Sequence, residues 1–320
     1  MKAIVCTKYG PPEVLQLQDV EKPAPKNNEV LIKICATAVT PSDCLTRRLN
    51  PSVWKLRGLL VGLLMGFDKP RNPILGGVLA GDVELAGKKV KQFKAGDQVF
   101  AFTTKSVSPP RWGAYAEYMC LPEDGILALK PSNISYEEAA AIPYGGLLAL
   151  HFLKKGNIQS GQKVLIYGAS GAIGTAAVQL ANYFGANVSG VCSTTNLELV
   201  KSLGADTVID YTQEDFTHSG RRYDLILNAV GTRKAQLQCE DSLTPNGKHI
   251  TVDDGIAKPQ LEAMLLLREL AATRQLKAVI DRRYPLEQMV EAHRYVDKGH
   301  KKGNVVITVA HHQDNQGGEL

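Results

Sequence analysis

At 320 residues, 44% of them hydrophobic, the chain can bury two sizeable cores, which excludes a disordered or fibrous protein. Its 37 basic and 32 acidic residues leave a net charge of +5, dispersed along the chain, which excludes a nucleic-acid surface and agrees with an anionic cofactor. Six scattered cysteines without a Cys-x-x-Cys pair imply reduced thiols in a cytoplasmic protein; Met1-Lys-Ala-Ile-Val-Cys6 is no secretory segment, and the longest apolar stretch, Gly58–Phe67, is too short to span a membrane.

The first part of the chain reads as short strands between turns. Lys2–Cys6, Val30–Ala36, Val78–Leu85 and Gln98–Phe102 are β-rich runs, punctuated by Gly10-Pro-Pro, Pro23-Ala-Pro, Ala95-Gly-Asp and Ser108-Pro-Pro. Within it, Thr40-Pro41-Ser42-Asp43 reads as a turn, with Asp43 either capping it or organising a cleft. Trp54 and Gly58–Phe67 read either as a core helix or as a lid over an apolar ligand. From Tyr136 the period becomes helical, with Ser135 as N-cap and Glu137 and Glu138 in the first turn; Leu147–Leu153 continues it.

Lys163–Cys192 organises the rest. Val164–Tyr167 is a short apolar run, Gly168, Gly171 and Gly174 follow, Ala172–Tyr183 has helical spacing, and Val188–Val191 is a second run. Strand, glycine turn, helix and strand within about thirty residues form a dinucleotide-binding unit. Glycine lets the backbone approach a pyrophosphate, and free N–H groups at the helix start hold its charge. Gly168, Ala169, Ser170, Gly171, Ala172, Ile173 and Gly174 are therefore the expected cradle. The second run ends in Val191-Cys-Ser-Thr-Thr-Asn196, with no acid for a ribose 2′-OH. Ser193, Thr194 and Asn196 are expected to receive a 2′-phosphate, which makes NADPH (NADP+) the expected cofactor.

Downstream, Leu197–Leu203 reads as a helix, and Thr207–Asp210, Asp224–Asn228 and Lys248–Val252 as strands, the alternation of a doubly wound parallel sheet. Asn228, Gly231, Thr251 and Val252 stand at carboxyl ends of these strands, where such sheets bind ligands. Leu261–Ala272 is an amphipathic helix, Ala278–Ile280 and Val305–Val309 read as strands returning to the first domain, and 311–320 as a flexible polar tail. The seven histidines show no ligand spacing, and Cys44 alone does not make a zinc site.

Several segments, in this order, carry a resemblance: Pro73-Ile-Leu-Gly-Gly-Val-Leu-Ala-Gly-Asp-Val, Phe93-Lys-Ala-Gly-Asp-Gln-Val-Phe, Gly113-Ala-Tyr-Ala-Glu-Tyr and Glu137-Glu-Ala-Ala-Ala-Ile-Pro, then Gly168-Ala-Ser-Gly-Ala-Ile-Gly, Leu203-Gly-Ala-Asp-Thr-Val-Ile-Asp-Tyr and Asp281-Arg-Arg-Tyr-Pro-Leu. The chain resembles, nearly throughout to Val309, the zinc-less NADPH:quinone oxidoreductase (zeta-crystallin-like) branch of the medium-chain dehydrogenase/reductases. The resemblance implies an α/β architecture: a GroES-like β domain (1–125 and 275–310), interrupted by a Rossmann domain (126–274), with the active site between them. It places Tyr211 near the adenosine. It aligns zinc ligands of metal-dependent relatives with Thr40 and Gly77, so no metal is expected. Leu45 stands where relatives often carry Lys or Tyr, and with Trp54 it is the expected apolar substrate pocket. Val252-Asp-Asp-Gly255 runs almost directly into Ile256-Ala-Lys-Pro, omitting the strand that relatives use as a dimer edge, so no oligomeric state follows.

The expected function is hydride transfer from NADPH to a quinone or activated C=C bond of a small hydrophobic acceptor. Thr40, Ser42 and Asp43 are the expected catalytic residues, with a hydroxyl or backbone N–H donating to the acceptor oxygen. Alcohol oxidation without zinc needs a base, and Thr40–Leu45 offers no His, Tyr or Lys. A non-catalytic NADPH-binding redox sensor and a carbonyl or alcohol dehydrogenase remain the alternatives.

Overall fold

The computed structural model describes residues 1–49, 62–63, 65–103, 113–215, 217, 220–231, 241–255 and 257–311. Trp54, half of Gly58–Phe67 and residues 312–320 lie outside them, so Trp54 and nearly all of the expected tail gain no structural account. β1 (Lys2–Cys6) pairs antiparallel with β2 (Leu15–Asp19). A larger sheet is built on β3 (Glu29–Val39), whose side chains are buried almost throughout because partners flank it on both edges. Those partners are β4 (Val78–Ala86), β6 (Tyr118–Pro122) and β14 (Asn304–Thr308). This double pairing extends the strand beyond the Val30–Ala36 expected from its apolar run. β5 (Gln98–Phe102), β7 (Ile126–Leu129) and β13 (Ile280–Pro285) complete the sheet.

Two expectations change here. β7 falls in the segment assigned by sequence to the Rossmann domain, yet it pairs antiparallel with β5 from Val99↔Leu129 to Phe102↔Ile126. β13 starts at Ile280 and runs through Asp281, Arg282 and Arg283, where Ala278–Ile280 was expected. It lies at the sheet edge with polar side chains in the open, so it carries no apolar signal.

The second sheet is parallel: β8 (Lys163–Tyr167), β9 (Asn187–Cys192), β10 (Thr207–Asp210), β11 (Tyr223–Asn228) and β12 (Leu243–Thr251), in the order β10-β9-β8-β11-β12. The order reverses between β8 and β11, which opens a crevice at their carboxyl ends. Helix α1 (Pro41–Arg48) follows β3. α2 (Tyr136–Lys155) is opened by a capping box between Ser135 and Glu138 and lies between the two sheets. Its Ala139, Leu147 and Leu150 share one core with Ala36 and Phe100 of the first sheet and Ile166 and Leu225 of the second. Further helices are α3 (Ala172–Tyr183), α4 (Leu197–Ser202), α5 (Leu261–Ala272) and α6 (Met289–Asp297).

Candidate active site

A cleft of about 790 Å³ runs along the carboxyl ends of the parallel strands, bounded across from them by α1, α2 and the segment after α6. The glycine turn forms its floor. Gly168 has φ +80°, a left-handed conformation that admits the sharp exit from β8. A Cβ on Gly174 would stand 2.1 Å from the Gly168 carbonyl oxygen, so α3 meets the turn backbone to backbone. A Cβ on Gly171 would meet only the Gly168 oxygen, at 3.6 Å, and otherwise open space. Gly171 is the N-cap of α3 and offers no capping side chain, so the first N–H groups of the helix face the cleft unspent.

At the other end of the turn, Asn196 is buried and donates to the hydroxyls of Ser170 (3.2 Å) and Ser193 (3.1 Å). Its Oδ1 has no partner, a buried acceptor that a ribose hydroxyl would satisfy. Ser193, Thr195 and Tyr211 line the cleft beside it. The donors, the open backbone and the orphaned acceptor fit a dinucleotide.

The far end of the cleft is made by α1 and α2. Thr40, Pro41 and Asp43 build the start of α1: the Thr40 hydroxyl accepts from the Asp43 N–H, and the Asp43 carboxylate accepts from the Thr40 N–H (2.9 Å) and the Thr40 hydroxyl (2.6 Å). Proline at the first helical position and an acid at the third complete the capping box. From α1, Pro41, Cys44 and Arg48 face the cleft. From α2, Tyr144 faces it too, and its hydroxyl lies 3.2 Å from Ser42 Oγ. Burial pushes the Tyr144 phenol up to about 12, so it stays protonated.

Behind this wall lies a buried polar network. Arg47, fully buried, donates to the Gly10 carbonyl, to Asp297 and, through Nε, to His293 Nδ1 at 3.3 Å. A guanidinium only donates, so Nδ1 accepts and Nε2–H donates to the Tyr115 hydroxyl, 3.2 Å away. Burial lowers His293 to about 3 and pushes the Cys44 thiol up to about 12, so at neutral pH the ring is neutral and the thiol protonated. Burial also raises Asp43, against hydrogen bonds from Thr40, Tyr115 and the Gly76 N–H.

The matched families and relatives agree with this geometry. Residues 26–131 match the alcohol dehydrogenase GroES-like domain, and residues 172–276 and 255–307 match zinc-binding dehydrogenase families. The chain is 34% identical to the 2-methylene-furan-3-one reductase of Solanum lycopersicum, over 96% of this chain and 79% of that protein. The chloroplastic NADPH-dependent alkenal/one oxidoreductase of Arabidopsis thaliana is 30% identical over the same shares. The chain belongs to the medium-chain dehydrogenase/reductase superfamily. Among solved members, the quinone oxidoreductase of Coxiella burnetii superposes with a TM-score of 0.83 at 28% identity, covering 97% of this chain and 99% of that one. This medium-chain reductase thus has the GroES-like and Rossmann parts read from its sequence, with the GroES-like match reaching past β7.

The superfamily's zinc does not fit these residues. Thr40, at one expected ligand position, spends its hydroxyl on Asp43, and Gly77, at another, has no side chain. Among the described residues, no group of three or more His, Cys, Asp or Glu is placed to hold a metal.

Several expected site residues do not reach the cleft. Thr40 and Asp43 stand behind it, holding α1. The Thr194 hydroxyl donates to the Asp210 carboxylate, whose ionisation it favours, and the cleft is lined by Thr195 instead. Ala169 and Gly174 pack beneath the turn. Asn228 is fully buried; its Oδ1 accepts from the Val230 and Gly231 N–H groups and shapes the loop that does line the cleft. Thr251 and Val252 lead into a turn closed by Asp254, which accepts from the Thr251 N–H. Leu45 is 67% exposed and is not among the residues that line the cleft. Trp54 lies outside the described residues.

Tyr144 and Lys301 are cleft residues that the sequence reading missed. Tyr144 sits in a helix legible only as apolar, and Lys301 in a polar segment without a pattern. Lys301 Nζ donates to the Gly303 carbonyl, and burial lowers it from the ordinary 10.5 to about 8, with Asp281 acting in the opposite sense. Between these values the unfolded chain binds this proton and the folded protein does not, so the contribution of Lys301 to folding stability should rise with pH across that window, against the fall contributed by buried thiols such as Cys44. Lys301→Met should lose that contribution, so that its stability falls further than that of wild type between pH 8.0 and 10.0, as checked by urea unfolding at these values, about the ends of that window. An unchanged slope would mean that this lysine is not desolvated.

Proposed function

We propose that this medium-chain reductase uses NADPH to reduce activated C=C bonds of enones or enals, and quinones, without a metal. The observation that carries this reading is the Tyr144 hydroxyl, 3.2 Å from Ser42 Oγ, on a tyrosine that lines the same cleft that has the glycine turn on its floor. The Gly168–Gly171 turn and the α3 N-terminus would hold the pyrophosphate, and Ser193, Asn196 and Tyr211 the adenosine end. When bound, the reduced nicotinamide supplies a hydride to the electron-poor carbon of the acceptor. Negative charge then gathers on the acceptor oxygen, and a phenol that burial keeps protonated donates a hydrogen bond to it. Ser42 orients that phenol, and water can deliver the final proton. Relatives that act on alkenal/one and quinone acceptors support the same class of substrate.

Alcohol oxidation fits less well. It needs a group that accepts a proton, and Tyr144 resists ionisation while His293 has its Nδ1 occupied by Arg47. The free thiols of the described residues suit a reducing compartment such as the cytoplasm. The test is reduction of an alkyl enone by NADPH deuterated at the transferring position. Deuterium at the β-carbon is expected. Deuterium at the carbonyl carbon, giving an allylic alcohol, would make the protein a carbonyl reductase, and nucleotide binding with no turnover on any enone or quinone would make it a sensor.

A further inference from the structure

We propose that Lys302 selects the 2′-phosphorylated nucleotide, reaching the adenosine end of the cleft from outside the Rossmann sheet. The inference rests on the nucleotide-dependent reading above and adds the residue that discriminates. In a Rossmann unit the loop after the second strand lies beside the 2′ position of the adenosine ribose. Here that loop starts at Ser193, directly after β9, and contains no cation and no acid. Of its hydroxyls, Thr194 is committed to Asp210. What remains is neutral, and neutral donors alone discriminate weakly in favour of a dianion.

The missing charge comes from elsewhere in the chain. Lys302 Nζ lies 3.3 Å from the Thr195 carbonyl oxygen, across the cleft from its own segment. That segment is fixed at two points. The Lys302 N–H donates to Asp281 at 2.9 Å, and the Gly303 N–H donates to the Ser170 carbonyl at 2.7 Å, as part of a bridge between Gly303 and Gly171 of the glycine turn. The backbone that carries Lys302 is thus tied to the same turn that cradles the pyrophosphate. Its ammonium has two further protons to donate, and a 2′-phosphate entering beside Ser193 and Thr195 would meet them. Asp210, at the end of β10, turns its oxygens to the Thr194 and Thr212 hydroxyls and the Thr212 N–H.

Calorimetric dissociation constants for NADPH, NADH, 2′,5′-ADP and 5′-AMP on wild type, Lys302→Met and Lys302→Arg test this. Wild type should bind 2′,5′-ADP more tightly than 5′-AMP. Lys302→Met should weaken NADPH and 2′,5′-ADP by roughly tenfold to a hundredfold, the loss of one charge-assisted contact, with NADH and 5′-AMP unchanged. Lys302→Arg should keep most of the preference. A wild type that prefers 2′,5′-ADP together with a Lys302→Met variant of equal preference would overturn the role of Lys302 and leave the reductase reading intact. A wild type that binds NADPH and NADH equally would overturn the selection itself, and one that binds no nucleotide would overturn both readings.

Discussion

Gly171→Val is expected to abolish NADPH binding, by roughly a hundredfold or more, in a protein that keeps its fold. The loss follows from what a side chain at this N-cap would meet. The backbone there, φ −79° and ψ 176°, is one a valine adopts freely, and the nearest protein atom to the new Cβ is 3.6 Å away. The protein therefore tolerates the branch. The space it would fill is the approach to the α3 N-terminus, where a pyrophosphate must come within hydrogen-bond distance of backbone N–H groups. Losing two such charge-assisted bonds accounts for the magnitude. Gly174→Val is the contrast. Its Cβ would be driven to 2.1 Å from the Gly168 oxygen, backbone against backbone, so that variant should lose stability before binding can be asked about. Calorimetric titration with NADPH, together with thermal unfolding of both variants, separates the two cases. A folded Gly171→Val protein with undiminished affinity would reduce the glycine motif to an ordinary turn.

The two glycines also show what could be read from the chain and what could not. Their spacing, between an apolar run and a helical period, was enough to locate the glycine turn that floors the cleft, because a strand–turn–helix unit has a local signature. Other parts of the cleft are made of side chains brought together from distant segments. Ser42 and Tyr144 are 102 positions apart, and Lys302 and Thr195 are 107. No periodicity reports such a meeting. The motif Thr40-Pro41-Ser42-Asp43 was visible but admitted two readings, and packing decided between them: Thr40 and Asp43 face each other and the buried Tyr115, which leaves Ser42 to meet Tyr144. A T-x-x-D pattern with proline at the second position was a helix-start signal that favoured this outcome. The central strands of both sheets were legible because burial on both faces demands apolar runs. Edge strand β13, with two arginines in its middle, was not.

Tyr144→Phe should lower kcat for enone reduction by about a hundredfold, with the Kd for NADPH unchanged. The substitution removes one oxygen and keeps the ring, so the packing of α2 between the sheets is retained. What is lost is the donor that meets the charge developing on the acceptor oxygen. Ser42→Ala should cost less, about tenfold, since it leaves the phenol in place and removes only its orienting partner. The double variant should be hardly worse than Tyr144→Phe alone, because the serine acts through the phenol. The pH dependence distinguishes this from a structural effect. Only the protonated phenol donates, and burial holds it protonated up to about 12, so Tyr144 should add no fall in kcat through neutral and mildly alkaline pH. Were Tyr144 an essential base instead, wild-type activity would climb with pH toward that value and Tyr144→Phe would abolish the climb. Steady-state rates of both single variants and the double variant across pH decide between donor and base, and a Tyr144→Phe enzyme of wild-type kcat would remove the phenol from the mechanism.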